Sequence, residues 1–145
     1  MKTKQYSYTE WLSAGEMHEQ SKNWFSELTF IKDEQRFLNN LIKSYTLQLL
    51  DSENFEKSKL MVNSLLDLEK RIVPLLKQVQ LHGNQLEIMV DDVNQLEMEK
   101  AYRITHRNIL SDLNQYVLEY RTLKKKLFRL VSGFLKKQKQ KKLLK

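Results

Sequence analysis

The residues of this chain best suited to metal binding or catalysis are three histidines, His18, His82 and His106. A di-metal carboxylate bundle needs Glu-x-x-His on two helices, because a three-residue step puts both ligands on one inner face. Glycine, valine and arginine stand at the positions where that motif requires glutamate. In an antiparallel bundle His18 and His82 would lie near the same end, and with Glu97 nearby they are a candidate set for zinc or another divalent metal. The competing interpretation treats His82 and His106 as polar residues that set the register of an apolar helix interface.

The other common catalytic devices have no counterpart in the sequence. The absence of cysteine excludes disulfides, thiolate metal sites and a cysteine nucleophile. There is no Gly-x-Ser-x-Gly motif, and three glycines cannot supply a phosphate-binding loop. The carboxylate pairs Asp33-Glu34 and Asp91-Asp92 are sequence neighbours, which point in different directions on a helix. We therefore expect a protein that is not an enzyme, with no cofactor and no small-molecule substrate.

A cluster of basic residues near the C-terminus is the strongest indication of a binding function. Residues 121–145 contain 11 Lys or Arg and no Asp or Glu, whereas the rest has 14 basic and 18 acidic residues, a net charge of −4. The candidate residues for binding an anionic surface are Arg121, Lys124, Lys125, Lys126, Arg129, Lys136, Lys137, Lys139, Lys141, Lys142 and Lys145. A basic amphipathic helix of this kind can bind an anionic membrane, or neutralise the phosphates of a nucleic acid.

The competing interpretation of the same segment is structural. Leu123 and Phe134 continue the apolar spacing of the preceding residues, which predicts that they belong to the core. Positive charge near a helix C-terminus is also ordinary, because it complements the helix dipole.

The elements that carry these residues are predicted to be long helices. The chain has 145 residues with 41% hydrophobic and 30% charged, and its single proline and three glycines leave few turns for a β fold. Apolar residues recur in steps of three and four along 14–49, 61–96 and 102–134. We call each of these three series of positions a seam. Only four seam positions are polar: Ser21, Gln35, His82 and His106.

Capping motifs predict where the helices begin. Ser7-Tyr8-Thr9-Glu10 has the form of a capping box, and Asp51 can cap a second helix. Asn94-Gln95-Leu96-Glu97 is another capping box, which favours a turn at 91–94. The alternative is a turn at Gly83-Asn84, although the second seam crosses Gly83 without losing phase.

These observations predict an all-α fold, an elongated antiparallel three-helix bundle or coiled coil. The predicted helices are 8–50, 52–90 and 95–137, in one domain of residues 1–137 followed by a basic tail, 138–145. Pro74 should kink the second helix without ending it. The alternative architecture is a long helical hairpin that dimerises, because seams this apolar must be buried within the chain or against a second copy.

The expected function follows from the seams and from the missing catalytic motifs. We expect a helical interaction or scaffold protein that binds a protein partner or itself, and alternatively an adaptor on a membrane or nucleic acid. Five aromatic residues of the first helix are expected in the core, with an exposed docking patch as the alternative: Trp11, Trp24, Phe25, Phe30 and Phe37. No apolar run follows the basic start, so we expect no secretory signal and a cytoplasmic location.

Overall fold

The computed structural model describes residues 12–45, 55–90 and 96–144. They form three helices, α1 (Ala14–Ser44), α2 (Phe55–Val90) and α3 (Leu96–Leu144), and no strand occurs within these ranges. The three helices pack together, so the predicted all-α three-helix bundle is confirmed. In the described ranges no helix is both long enough and apolar enough to cross a membrane.

The chain divides into two compact units, and each helix contributes one segment to each unit. The first unit comprises Met1–Ile31 and Arg71–Tyr116, and the second comprises Lys32–Lys70 and Val117–Lys145. The core of the first unit includes Met17, Trp24, Leu28, Ile72, Val79, Leu86, Ile109 and Leu113. The core of the second unit includes Leu38, Ile42, Met61, Leu65, Leu68, Leu123, Leu127, Val131 and Phe134.

The predicted apolar seams are the buried faces of the helices. Every seam residue from Ala14 to Ile42 and from Met61 to Met89 is buried, as are those from His106 to Leu127. The four polar seam residues are buried too, each at most 2% exposed. The spacing therefore identified the core, because residues three and four apart lie on one side of a helix.

Helix α1 begins later than predicted, at Ala14 instead of residue 8. The Ser13 backbone N–H donates to Glu16 Oε1 at 3.0 Å, and the Glu16 backbone N–H donates to Ser13 Oγ at 3.2 Å. This reciprocal pair is a capping box, and it leaves Leu12 and Ser13 outside the helix. Hydrogen bonds from the Ser13 backbone and side chain hold the pKa of Glu16 below its usual value. The predicted box at Ser7 lies outside the described residues.

The end of α1 also differs from its predicted bound, residue 50. Helix α1 ends at Ser44, where the Tyr45 N–H donates to the Ile42 carbonyl at 3.0 Å and tightens the last turn. Helix α2 is described from Phe55 onward, and both the predicted start at residue 52 and the predicted cap, Asp51, lie outside the described residues.

Helix α2 is continuous to Val90, through both Pro74 and Gly83. The alternative turn at Gly83-Asn84 is therefore wrong. A Cβ on Gly83 would meet Ser21 Cβ at 3.7 Å, an ordinary packing distance. The favoured turn at 91–94 lies outside the described residues, between the ends of α2 and α3.

Helix α3 continues to Leu144, beyond its predicted end at 137. The predicted basic tail, 138–145, is therefore helical as far as the structure describes it. Lysine, glutamine and leucine are good helix formers, and the segment contains neither proline nor glycine after Gly133.

Candidate functional site

Two of the three histidine candidates meet in the core of the first unit. His82 on α2 and His106 on α3 are 1% and 0% exposed, and His82 Nε2 lies 2.8 Å from His106 Nδ1. The other nitrogen of His106, Nε2, lies 2.8 Å from Gln20 Oε1 on α1. One side chain from each helix thus joins a single hydrogen-bonded chain.

Aromatic rings hold the two imidazoles in place. The Trp24 ring stacks on His106 with centroids 4.3 Å apart and an interplanar angle of 26°. The Tyr102 ring meets His82 edge-on, at 6.3 Å and 89°. Because an aromatic ring packs against each imidazole, the hydrogen-bonding atoms have little freedom to turn away.

The hydrogen-bond acceptor at one end of the chain sets the tautomer of both imidazoles. A carbonyl oxygen only accepts, so His106 Nε2–H donates to Gln20 Oε1, and His106 Nδ1 is an acceptor. His82 Nε2–H then donates to His106 Nδ1. The last atom of the chain, His82 Nδ1, is an unprotonated acceptor that is buried and has no hydrogen-bond partner within the described residues.

Both imidazoles are neutral at physiological pH. Burial lowers the pKa of His82 from its ordinary value of 6.5 to about 4. Burial, and secondarily the charge of His82, lower the pKa of His106 to about 3. Protonating either ring would place a cation in an apolar core, which is costly without a paired anion.

The structure brings together two of the three predicted metal candidates, His82 and His106, but not the third. His18 is half-buried on α1 and does not join the His82–His106 pair. No group of three metal-binding side chains occurs in the part of the chain that the structure describes. The Glu97 side chain lies outside the described part. The facing nitrogens of the pair bond to each other, so the arrangement fits a buried polar register contact better than a metal site.

A second polar cluster, in the second unit, includes one of the predicted surface cations. Glu34 Oε1 on α1 accepts hydrogen bonds from Tyr120 Oη at 2.6 Å and from Lys124 Nζ at 2.9 Å, both on α3. Lys124 also lies over the Tyr120 ring, 5.4 Å from its centroid. Partial burial raises the pKa of Glu34, but these two hydrogen bonds and the lysine charge outweigh it and hold the pKa below its usual value. Lys124 therefore serves the fold instead of an exposed cationic face.

Most of the other predicted cations do face solvent. The exposed members on α3 are Arg121, Lys125, Lys126, Arg129, Lys136, Lys137, Lys139 and Lys142. The side chains of Lys141 and Lys145 lie outside the described part. Phe128 and Leu135 are 42% and 47% exposed on the same helix, so apolar and cationic groups share its outer surface.

The aromatic residues of α1 divide between core and surface. Trp24 is buried at 2% exposure, as predicted. Phe25, Phe30 and Phe37 are 38%, 65% and 56% exposed, so the core interpretation is wrong for these three. Each lies beside a seam position that Trp24, Ile31 or Leu38 already fills. Trp11 lies outside the described residues.

Sequence reasoning missed the polar partners of the candidates. Gln20 was not singled out, because one glutamine on a helix carries no signal of its own. Arg103 was also missed, although its Nε donates to the Leu12 carbonyl at 2.8 Å and its side chain pairs with Glu99 at 2.7 Å. The only available signal was that His82 and His106 interrupt apolar seams.

Comparison of this chain with protein-family models, with curated proteins and with solved structures found no match.

Proposed function

We propose that this chain is a non-enzymatic interaction protein whose helix faces bind a protein partner or a second copy. The observation that carries the proposal is the exposure of Phe30 and Phe37, which are 65% and 56% accessible and seven residues apart on α1. A seven-residue step returns to the same side of a helix, so Phe30 and Phe37 form a stripe of two exposed rings on α1, with Asp33 and Glu34 between them.

Exposed apolar residues on the other helices support the proposal. Leu81 and Ile88 are 60% and 67% exposed and are also seven residues apart, on α2. Burying a Phe or Leu side chain fully contributes about 1.5–3 kcal/mol, so covering a paired stripe is a substantial driving force for association. Such stripes are the anchors by which helices pack on partner surfaces.

Site-specific photocrosslinking in the source cells tests this proposal. A benzophenone analogue of phenylalanine replaces Phe30 or Phe37, and for comparison Ile104, an equally exposed position on α3. The proposal predicts one discrete adduct at both α1 positions, with the mass of a second copy or of one partner. Its yield should fall when the neighbouring phenylalanine carries a Phe→Gln substitution.

The result that contradicts the proposal is also specific. Adducts that are absent at Phe30 and Phe37, or equally abundant and heterogeneous at all three positions, would show that the stripe has no dedicated partner. Native mass spectrometry of the purified protein then separates self-association from a second protein.

A second candidate function is that of an adaptor held on an anionic membrane or nucleic acid. It is supported by the continuous α3 helix with exposed Lys136, Lys137, Lys139 and Lys142 and no acidic residue after Glu119. It predicts binding to phosphatidylglycerol vesicles or to DNA that weakens steeply with salt and requires these lysines. Binding that survives a Lys→Gln change at all four positions contradicts it.

A further inference from the structure

The second unit contains a groove between the first turns of α2 and the second half of α3. Its volume is about 570 Å³. Its apolar lining consists of Leu60, Met61, Leu123, Leu130 and Phe134. Pockets that take small organic ligands have volumes of about 300–1,000 Å³ and mostly apolar walls, so this groove has the capacity of a ligand site.

The charge of the groove is entirely of one sign. Lys57 on α2 and Lys126, Arg129 and Lys137 on α3 all line it and are all exposed, so their charged groups reach solvent. The remaining lining residues are Ser64 and Gly133, and no carboxylate is among the described residues that line the groove. The described lining thus offers four cations to a ligand and no anion.

Gly133 keeps the α3 wall of the groove open. A Cβ built at this position would have no atom within 4 Å among the described residues. Glycine inside a helix is unfavourable relative to alanine, and close packing within the described chain does not require it here. Gly133 itself lines the groove, so the missing side chain leaves that part of the groove free.

We propose that this groove binds a single-chain anionic amphiphile, a long-chain fatty acid carboxylate. The acyl chain lies on the apolar lining, and the carboxylate pairs with the cations at the rim, of which Arg129 can form a bidentate contact. The lining spans residues 123–137 of α3, about 20 Å of helix, which suits an extended chain. This inference does not depend on the proposed function, because the groove and the α1 stripe share no residue.

Fluorescence titration with parinarate, a naturally fluorescent fatty acid, tests the inference on the full chain below the micelle concentration. The expected result is saturable binding of one parinarate per chain. Oleate should displace it, and methyl oleate, which keeps the tail but lacks the charge, should displace it at least tenfold less well.

Three variants and one control locate the binding. Arg129→Gln should weaken parinarate binding about tenfold, because it removes a charged hydrogen-bond donor. Gly133→Leu should weaken it by more, because its side chain occupies the groove, whereas Gly133→Ala should leave binding within about twofold. Lys139→Gln removes an exposed α3 cation that does not line the groove, and should have no effect.

Several outcomes would overturn the inference. They are no saturable parinarate binding, several ligands per chain, equal displacement by oleate and methyl oleate, or equal weakening by Lys139→Gln and Arg129→Gln. The last result would mean diffuse adsorption on the basic helix. Circular dichroism confirms that each variant is folded, and Arg129→Gln, on the exposed rim, keeps the test valid if Gly133→Leu unfolds.

Discussion

Acidification should destabilise this protein well above the pH at which carboxylates protonate, because of the His82–His106 pair. The folded pKa values are about 4 and about 3, against 6.5 for an ordinary histidine. Between pH 6.5 and pH 4 the unfolded chain therefore binds protons at both positions while the folded chain binds none. Since the unfolded state binds more protons, the free energy of unfolding falls as the pH falls.

The size of the effect at pH 5.0 depends on the unfolded value alone. Both folded pKa values lie below 5.0, so each histidine contributes the 1.5-unit difference between 6.5 and 5.0. One unit corresponds to 1.36 kcal/mol, so each histidine costs about 2 kcal/mol and the pair about 4 kcal/mol. This cost is absent well above pH 6.5, where the histidines are neutral in both states, and it grows as the pH falls from 6.5 toward the folded pKa values.

Urea unfolding followed by circular dichroism measures this loss. Free energies of unfolding extrapolated to water at pH 7.5, 6.5, 5.5 and 5.0 give the slope directly. The double variant His82→Gln/His106→Gln should be nearly independent of pH over this range, whatever its absolute stability. His18→Gln removes a histidine outside the pair and should retain the full dependence.

Two results would refute the reasoning. A change below about 1 kcal/mol in the unsubstituted protein between pH 7.5 and 5.0 would mean that the pair is hydrated or already charged when folded. A dependence that persists in the double variant would assign it to other groups.

Three further substitutions test the packing, the helix start and the second polar cluster, each by urea unfolding at pH 7.5. Leu65→Ala should cost about 2–5 kcal/mol because Leu65 is fully buried, whereas Leu66→Ala, at a position 42% exposed, should cost less than about 1 kcal/mol. Ser13→Ala should cost about 1 kcal/mol by removing the cap of α1, and Ser26→Ala on the exposed middle of that helix should be neutral or slightly stabilising. Glu34→Gln should cost about 1 kcal/mol because it removes a partly buried ion pair, and 1 M salt should therefore lower the stability of the unsubstituted protein but not that of the variant. Equal losses in a variant and its control, or an unchanged salt response in Glu34→Gln, would contradict the corresponding assignment.

The helix ends show where local sequence is ambiguous. Ser7-Tyr8-Thr9-Glu10 and Ser13-Ala14-Gly15-Glu16 are both Ser-x-x-Glu capping boxes, and the prediction used the first. The structure forms the second, with both reciprocal hydrogen bonds present. Two equivalent motifs six residues apart cannot be ranked by capping chemistry alone, because each satisfies the same free backbone groups.

The candidate site shows a similar limit. The sequence placed His82 and His106 on apolar seams, which correctly indicated burial. It also grouped His18 with His82, whereas His82 contacts His106 instead. The contact between two imidazole nitrogens depends on the axial register of α2 against α3, and helix periodicity carries no information about that offset.

The sequence by itself determined the helices, their buried faces and the polar positions within those faces, including Ser21 and Gln35. These features follow from the spacing of apolar residues along one chain, which is a local property. Only the tertiary structure decided that Lys124 pairs with Glu34, that Phe30 and Phe37 face solvent, and that a basic groove lies between α2 and α3. Each of these depends on the axial register of one helix against another. That register is set by the packing of all three helices together.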